Sequence, residues 1–286
     1  MPWMNDKPIR KLIMRILTHD QLHRTAPAIF ANQPDEAVSD RYGFVPTINV
    51  VDALQAEGWY PVRAQQTNVR HAERQSVARH LIRFRQDPDR QIAVGDSVTE
   101  LVLTNSHDRS AAFQLDLGLF RLVCLNGMVT PVGDVGGIRV RHGKQIVDEI
   151  LEGSIQLSHQ VPRIAEGVEA FQSTLISRGE AQLFAESALS LRYGDDWQAA
   201  SPIQPTDVLE ARRSEDANGS LWSVFNRTQE NLFKGGLRGR SQSGRATRTR
   251  PINSVAEDVR LNRALWKLTE RFAELKGASI ASYTPH

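Results

Sequence analysis

The chain of 286 residues is 40% hydrophobic and 24% charged, the balance of a folded protein rather than of a disordered or fibrous one. Its one cysteine, Cys124, excludes an internal disulfide and a cysteine-built zinc centre and agrees with a reducing, cytoplasmic compartment. No apolar run approaches the roughly 20 residues that cross a bilayer, the opening residues lack a secretory apolar core, and at a formal charge of +2 any nucleic-acid argument rests on where the cations sit.

One domain over residues 1–286 is expected, in three stretches. Residues 1–40 read as an N-terminal helix and a connector. Ile9, Leu12, Ile13, Ile16 and Leu17 recur at helical spacing among Lys7, Arg10, Lys11 and Arg15, and the helix is read as docked on its own domain rather than on a membrane. Residues 41–142 read mainly as strands. Residues 42–47 turn into an element, 50–56 form a short helix and 58–62 enter a strand. Residues 77–85 alternate, with His80, Ile82 and Phe84 on one face and Arg79, Leu81, Arg83 and Arg85 on the other, which predicts a strand with one basic face. Residues 99–104 and 111–117 continue an antiparallel sheet, the latter with Phe113, Leu115 and Leu117 opposite Gln114 and Asp116. For residues 119–125, apolar almost throughout, periodicity does not decide between a buried strand and a short buried helix.

Residues 143–286 read mainly as helices. Apolar positions from Ile146 to Phe171 keep a spacing of three or four, and Pro162 makes this either one kinked helix or two in tandem. Helices are also expected over 179–193, 206–213 and 220–233, the last closed by Gly235-Gly236. The final helix opens on Ser254 and Glu257, spaced as a capping box, and carries a stripe from Val259 to Leu275. Strands first and helices after make the fold class α+β.

The most charged feature is a basic loop at 234–253, with Lys234, Arg238, Arg240, Arg245, Arg248 and Arg250, no acidic residue, and the glycines and serines of a mobile segment. Arginine forks onto phosphate and stacks on bases, so this loop and Arg79, Arg83 and Arg85 form the candidate nucleic-acid surface. A catalytic frame is not expected. His107 could activate Cys124 or Ser106, but Asn105, Ser106 and Asp108 fit better as a polar turn between strands, and Cys124 as a buried thiol. The histidines are scattered, His19 and His23 at i,i+4 lack the glutamate of a zinc-protease pair, and the glycines at 133–137 lack the lysine of a phosphate loop, so no metal or cofactor is expected.

The run through Asn105, Ser106, His107 and Asp108, then Phe113 and Gln114, then Arg121, Asn126 and Gly127, resembles the core motif of an uncharacterised bacterial family, domain of unknown function nine-thirty-two. Residues 42–47, 235–240 and 258–266 extend the resemblance over nearly the whole chain, with Arg109 standing where the motif expects glycine. Carriage of that family by phages, prophages and plasmids implies work on DNA. A further similarity to single-strand-annealing recombination proteins implies a basic groove for single-stranded DNA, with Trp59, Tyr60 or Phe84 as stacking groups, and admits a homo-oligomer. The expected function is therefore DNA binding without catalysis, the alternative being a protein-interaction factor that modulates a host function such as defence or replication.

Overall fold

The computed structural model describes residues 16–36, 38, 43–69, 72–86, 93–94, 97–121, 127–130, 138–140 and 145–278. The fold is α+β. Helix α1 (His19–Thr25) opens on a Thr18–Gln21 capping box. The predicted N-terminal helix lies outside the described residues except at Ile16 and Leu17, which are not helical; Leu17 N–H donates to the Pro61 carbonyl at 2.7 Å.

After α2 (Thr47–Ala56) come β1 (Trp59–Gln66), β2 (His80–Gln86), β3 (Ala93–Val94), β4 (Ser97–Asn105), β5 (Phe113–Arg121), β6 (Gly127–Thr130) and β7 (Ile138–Val140). They form one antiparallel sheet in the order β1-β2-β4-β5-β6, with β3 paired to β4 and β7 to β5. The undecided apolar run thus begins as strand through Arg121; residues 122–126, Cys124 among them, lie outside the described residues.

The tandem-helix alternative holds: α3 (Ile146–Ser158) and α4 (Val161–Ser173) break at His159-Gln160, where Pro162 in the first turn of α4 has no N–H to continue α3. Helix α5 (Arg178–Tyr193) and two single turns, α6 (Trp197–Ala200) and α7 (Pro205–Val208), follow. The helix expected over 206–213 is cut short because Asn231 Nδ2 donates to the Val208 and Glu210 carbonyls, both at 2.9 Å, taking acceptors a longer helix would use. Helix α8 (Leu221–Lys234), a hairpin of β8 (Arg238–Arg240) and β9 (Ala246–Arg248), and α9 (Val255–Leu275) complete the chain. Ser254 caps α9 through Glu257 N–H, while the Glu257 carboxylate pairs with Arg260 at 2.7 Å.

The two faces of the sheet differ. Ile82, Phe84, Leu101, Leu103, Phe113, Leu115 and Leu117 face a continuous apolar core shared with α2, α3 and the helices beyond. There Trp266 meets Phe171 at 5.2 Å and Phe225 at 6.0 Å between ring centres. On the other face Leu81 and Val102 pack against Val255 and Val259 of α9, and Val98 is also buried. Charges lie beside them. Glu100, 1% exposed, lies between Arg83 and Arg85, bonding the Nε of each, Arg85 at 2.7 Å. Asp116 pairs with Arg263 of α9 and accepts from Gln114 Nε2 at 3.2 Å; burial pushes its pKa above the ordinary carboxylate value even though Arg263 pulls it down. Asp258, beside Arg63 and Arg83, is raised to about 6, burial again outweighing the guanidiniums.

Breaking such a group by removing one partner costs about 3–5 kcal/mol, whereas replacing all of it with apolar residues is often neutral. Glu100→Gln is therefore expected to destabilise the protein by about 3–5 kcal/mol in urea melts, and Arg83→Met, Arg85→Met and Glu100→Leu combined to recover most of the loss.

Candidate nucleic-acid interface

The acid-free segment is an ordered hairpin rather than a mobile loop. Gly236 N–H donates to Thr249 O at 2.9 Å, Thr249 N–H to Leu237 O at 2.9 Å, and Arg240 N–H to Pro202 O at 2.8 Å. Two glycines permit the docking. A Cβ on Gly239 would lie 2.0 Å from the Pro202 carbonyl oxygen, and one on Gly235, at φ 61, would lie 2.7 Å from the Arg250 carbonyl carbon. The strand pleat then turns Arg238, Arg240 and Arg248 away from Pro202, with Arg238 directly across from Arg248. All five arginines, Arg238, Arg240, Arg245, Arg248 and Arg250, are exposed. Among the described residues none of them forms an ion pair; Arg240 and Arg248 instead donate to the Gly244 and Gly236 carbonyls, each at 3.1 Å. Like charges facing across a strand pair repel, and Asp207 and Glu210 line the hollow that Arg238 and Arg248 share.

The remaining predicted cations are elsewhere. Arg83 and Arg85 are 7% and 9% exposed and held by Glu100 beneath α9, so the basic face of β2 is an interior layer and not a surface for phosphate. Lys234 pairs with Glu230 at 2.7 Å in the last turn of α8. Arg79 donates to the Ser110 carbonyl and belongs to the 105–111 turn. The proposed stacking groups Trp59 and Phe84 are buried in the core, which leaves Tyr60 half-buried.

The motif residues build an interior hub. Thr47 Oγ1 accepts from Asn105 Nδ2 at 2.9 Å and meets His80 Nε2 at 2.9 Å and His107 Nε2 at 3.3 Å, all four residues fully buried. His80 Nδ1 lies 2.9 Å from the Ala78 carbonyl, so it carries the proton and Nε2 accepts from Thr47. His107 Nε2 is 3.0 Å from the Ala28 carbonyl and donates to it, which places its ring 5.0 Å from Phe44. Burial depresses the pKa of His80 to about 4. Ser106 Oγ closes the turn by bonding Ala111 N–H at 2.7 Å and Asp108 by accepting Ser110 N–H at 2.9 Å, as a polar turn requires. Arg109 sits between them at φ 65, a left-handed position that suits the glycine expected there. Phe113 is core, Gln114 bridges Asp116 and Arg139, Arg121 ends β5, Gly127 begins β6, and Asn126 lies outside the described residues.

Two separate stretches of the motif, 42–47 and 103–108, thus meet at Thr47, and the profile of the family described as Domain of unknown function (DUF932) matches residues 35–266. The chain belongs to that family. UPF0380 protein YfjQ and UPF0380 protein YafZ, both of Escherichia coli (strain K12), are each 38% identical over 256 residues, covering 90% of this chain and 91% of each relative. No solved structure matches. Among the described residues of this DUF932 chain, no helix is long and apolar enough to cross a membrane, and no group of three or more His, Cys, Asp or Glu could hold a metal ion.

Sequence reading missed Arg192 and Tyr193, which lie against the hairpin, because nothing in the pattern of α5 links its last turn to residues 248–250.

Two outcomes test this geometry. Gly239→Ala is expected to undock the hairpin and cost about 1–3 kcal/mol, with faster amide exchange confined to residues 236–249. Neutral His80 contributes stability that is complete above its unfolded pKa and drains away as pH falls from 6.5 toward 4; Asp258 has the opposite sign, its contribution fading as pH rises through about 6. The difference between parent and His80→Gln isolates the former: the parent is more stable at neutral pH, and its advantage is expected to shrink by up to about 3 kcal/mol on acidification to about pH 4.

Proposed function

We propose that this protein is a DNA-binding protein of mobile genetic elements, acting in the cytoplasm without catalysis, which binds or anneals single-stranded DNA in recombination, and does so as a homo-oligomer. The observation that carries the reading is the β8–β9 hairpin, five exposed arginines on a rigid, acid-free support with two of them facing each other. Contacts to phosphate made by such a surface are electrostatic and nearly indifferent to sequence. A second reading is a protein-interaction factor modulating a host function such as defence or replication, with the same exposed arginines docking an acidic protein surface.

Fluorescence anisotropy with labelled single- and double-stranded DNA at several salt concentrations tests the first reading. Binding is expected to favour single strands and weaken steeply with salt. Replacing the five hairpin arginines by alanine is expected to lower affinity and to flatten the dependence of log K on log salt by about 0.7 for each lost contact to single-stranded phosphate. Absence of DNA binding at low salt, with a protein partner retained from nuclease-treated host lysate, would select the second reading.

A further inference from the structure

The hairpin is flanked by two hollows of opposite character. One, about 440 Å³, is lined by Asp207 and Glu210 as well as Arg212, Arg238 and Arg248, so its cations already face carboxylates. The other, about 590 Å³, lies between the hairpin turn and the end of α5, and no carboxylate lines it. Its walls include Arg192, Arg248 and Arg250, the Tyr193 ring, and the hydroxyls of Ser241 and Ser243. Asp195 and Asp196, in the turn after α5, are exposed and outside its lining.

Arg192 is the most informative residue in this hollow. Its Nη2 donates to the Arg250 carbonyl at 2.6 Å, and its guanidinium lies 5.4 Å from the centre of the Tyr193 ring. Its Nη1 is buried and has no hydrogen-bond partner among the described residues. Arg192 thus brings a second guanidinium to the wall beside Arg250.

We propose that this hollow is a nucleotide slot, in which a phosphate sits between Arg192 and Arg250 while its base lies against Tyr193. The proposal rests on the DNA-binding reading and specifies where and how an unpaired strand is held. Guanidiniums suit phosphate through their forked donors, and the volume falls within the roughly 300–1,000 Å³ of ordinary ligand sites. A duplex hides its base faces in the stack, so an aromatic ring in a recess selects an unpaired base.

The test uses the full chain and a labelled oligo-dT in anisotropy, with the fold of each variant checked by its thermal melt. Tyr193→Leu is expected to weaken binding about 5- to 100-fold with the salt slope unchanged, and Tyr193→Phe to bind like the parent. Arg192→Gln is expected to weaken binding and flatten the salt slope. Displacement by dTMP would assign the slot to free nucleotides; failure of dTMP to displace the oligomer would assign it to the strand. On the unmodified protein, photocrosslinking of an oligomer carrying 5-bromodeoxyuridine is expected to label Tyr193. Oligo-dT binding unaffected by the Tyr193 and Arg192 variants but lost in the five-arginine variant, or crosslinks only at residues away from Tyr193, would overturn the slot and leave DNA binding standing. No oligo-dT binding by the parent would overturn both.

Discussion

Everything on the second face of the sheet depends on the contact of Glu100 with Arg83 and Arg85. One carboxylate shared by two guanidiniums lets strand β2 turn basic residues inward, and the electrostatic field of that group extends to Asp258 and Arg63, tying α9 to the sheet. Helix α9 in turn packs on α4, α5 and α8. The sheet and the helical half are thereby joined by a continuous apolar core on one side and by paired charges on the other, and charges are the more selective of the two because a shifted register leaves them buried without partners.

Most elements were legible in the sequence because their signals are local. Alternation marked β2 and β5, the glycine pair marked the end of α8, and Ser254 marked the start of α9. The basic face of β2 was legible as a face, but alternation does not tell what covers it; the cover is Val255, Asp258 and Val259, far along the chain. The hairpin was misread as mobile for a related reason. Its glycines are also the signature of flexible segments, and only the position of the Pro202 carbonyl reveals that Gly239 is there for close approach.

The hub at Thr47 shows what the recognisable motif encodes. Asn105, His107 and Thr47 come from segments that touch only after α2 has docked on the sheet, and their hydrogen bonds fix the tautomers of two buried imidazoles. The core of the motif therefore organises the interior, whereas the hairpin arginines, Arg238 and Arg240 of the same resemblance among them, face solvent. Sequence reasoning placed Ser106 and Asp108 in their turn and His80 on the face of Ile82 and Phe84 correctly, but had no signal that Thr47 would meet His80.

The pair Asp116–Arg263 joins residues 147 positions apart. During synthesis the strands are made long before their helical cover emerges, so the nascent sheet exposes its second face to the crowded interior of the cell. Were that face lined with leucine and valine, it would invite edge and face association with other incomplete chains. With Arg83, Arg85, Glu100 and Asp116 set around Leu81 and Val102, it holds water more readily before α9 arrives, so the composition that makes this layer demanding in the finished protein favours the unfinished one.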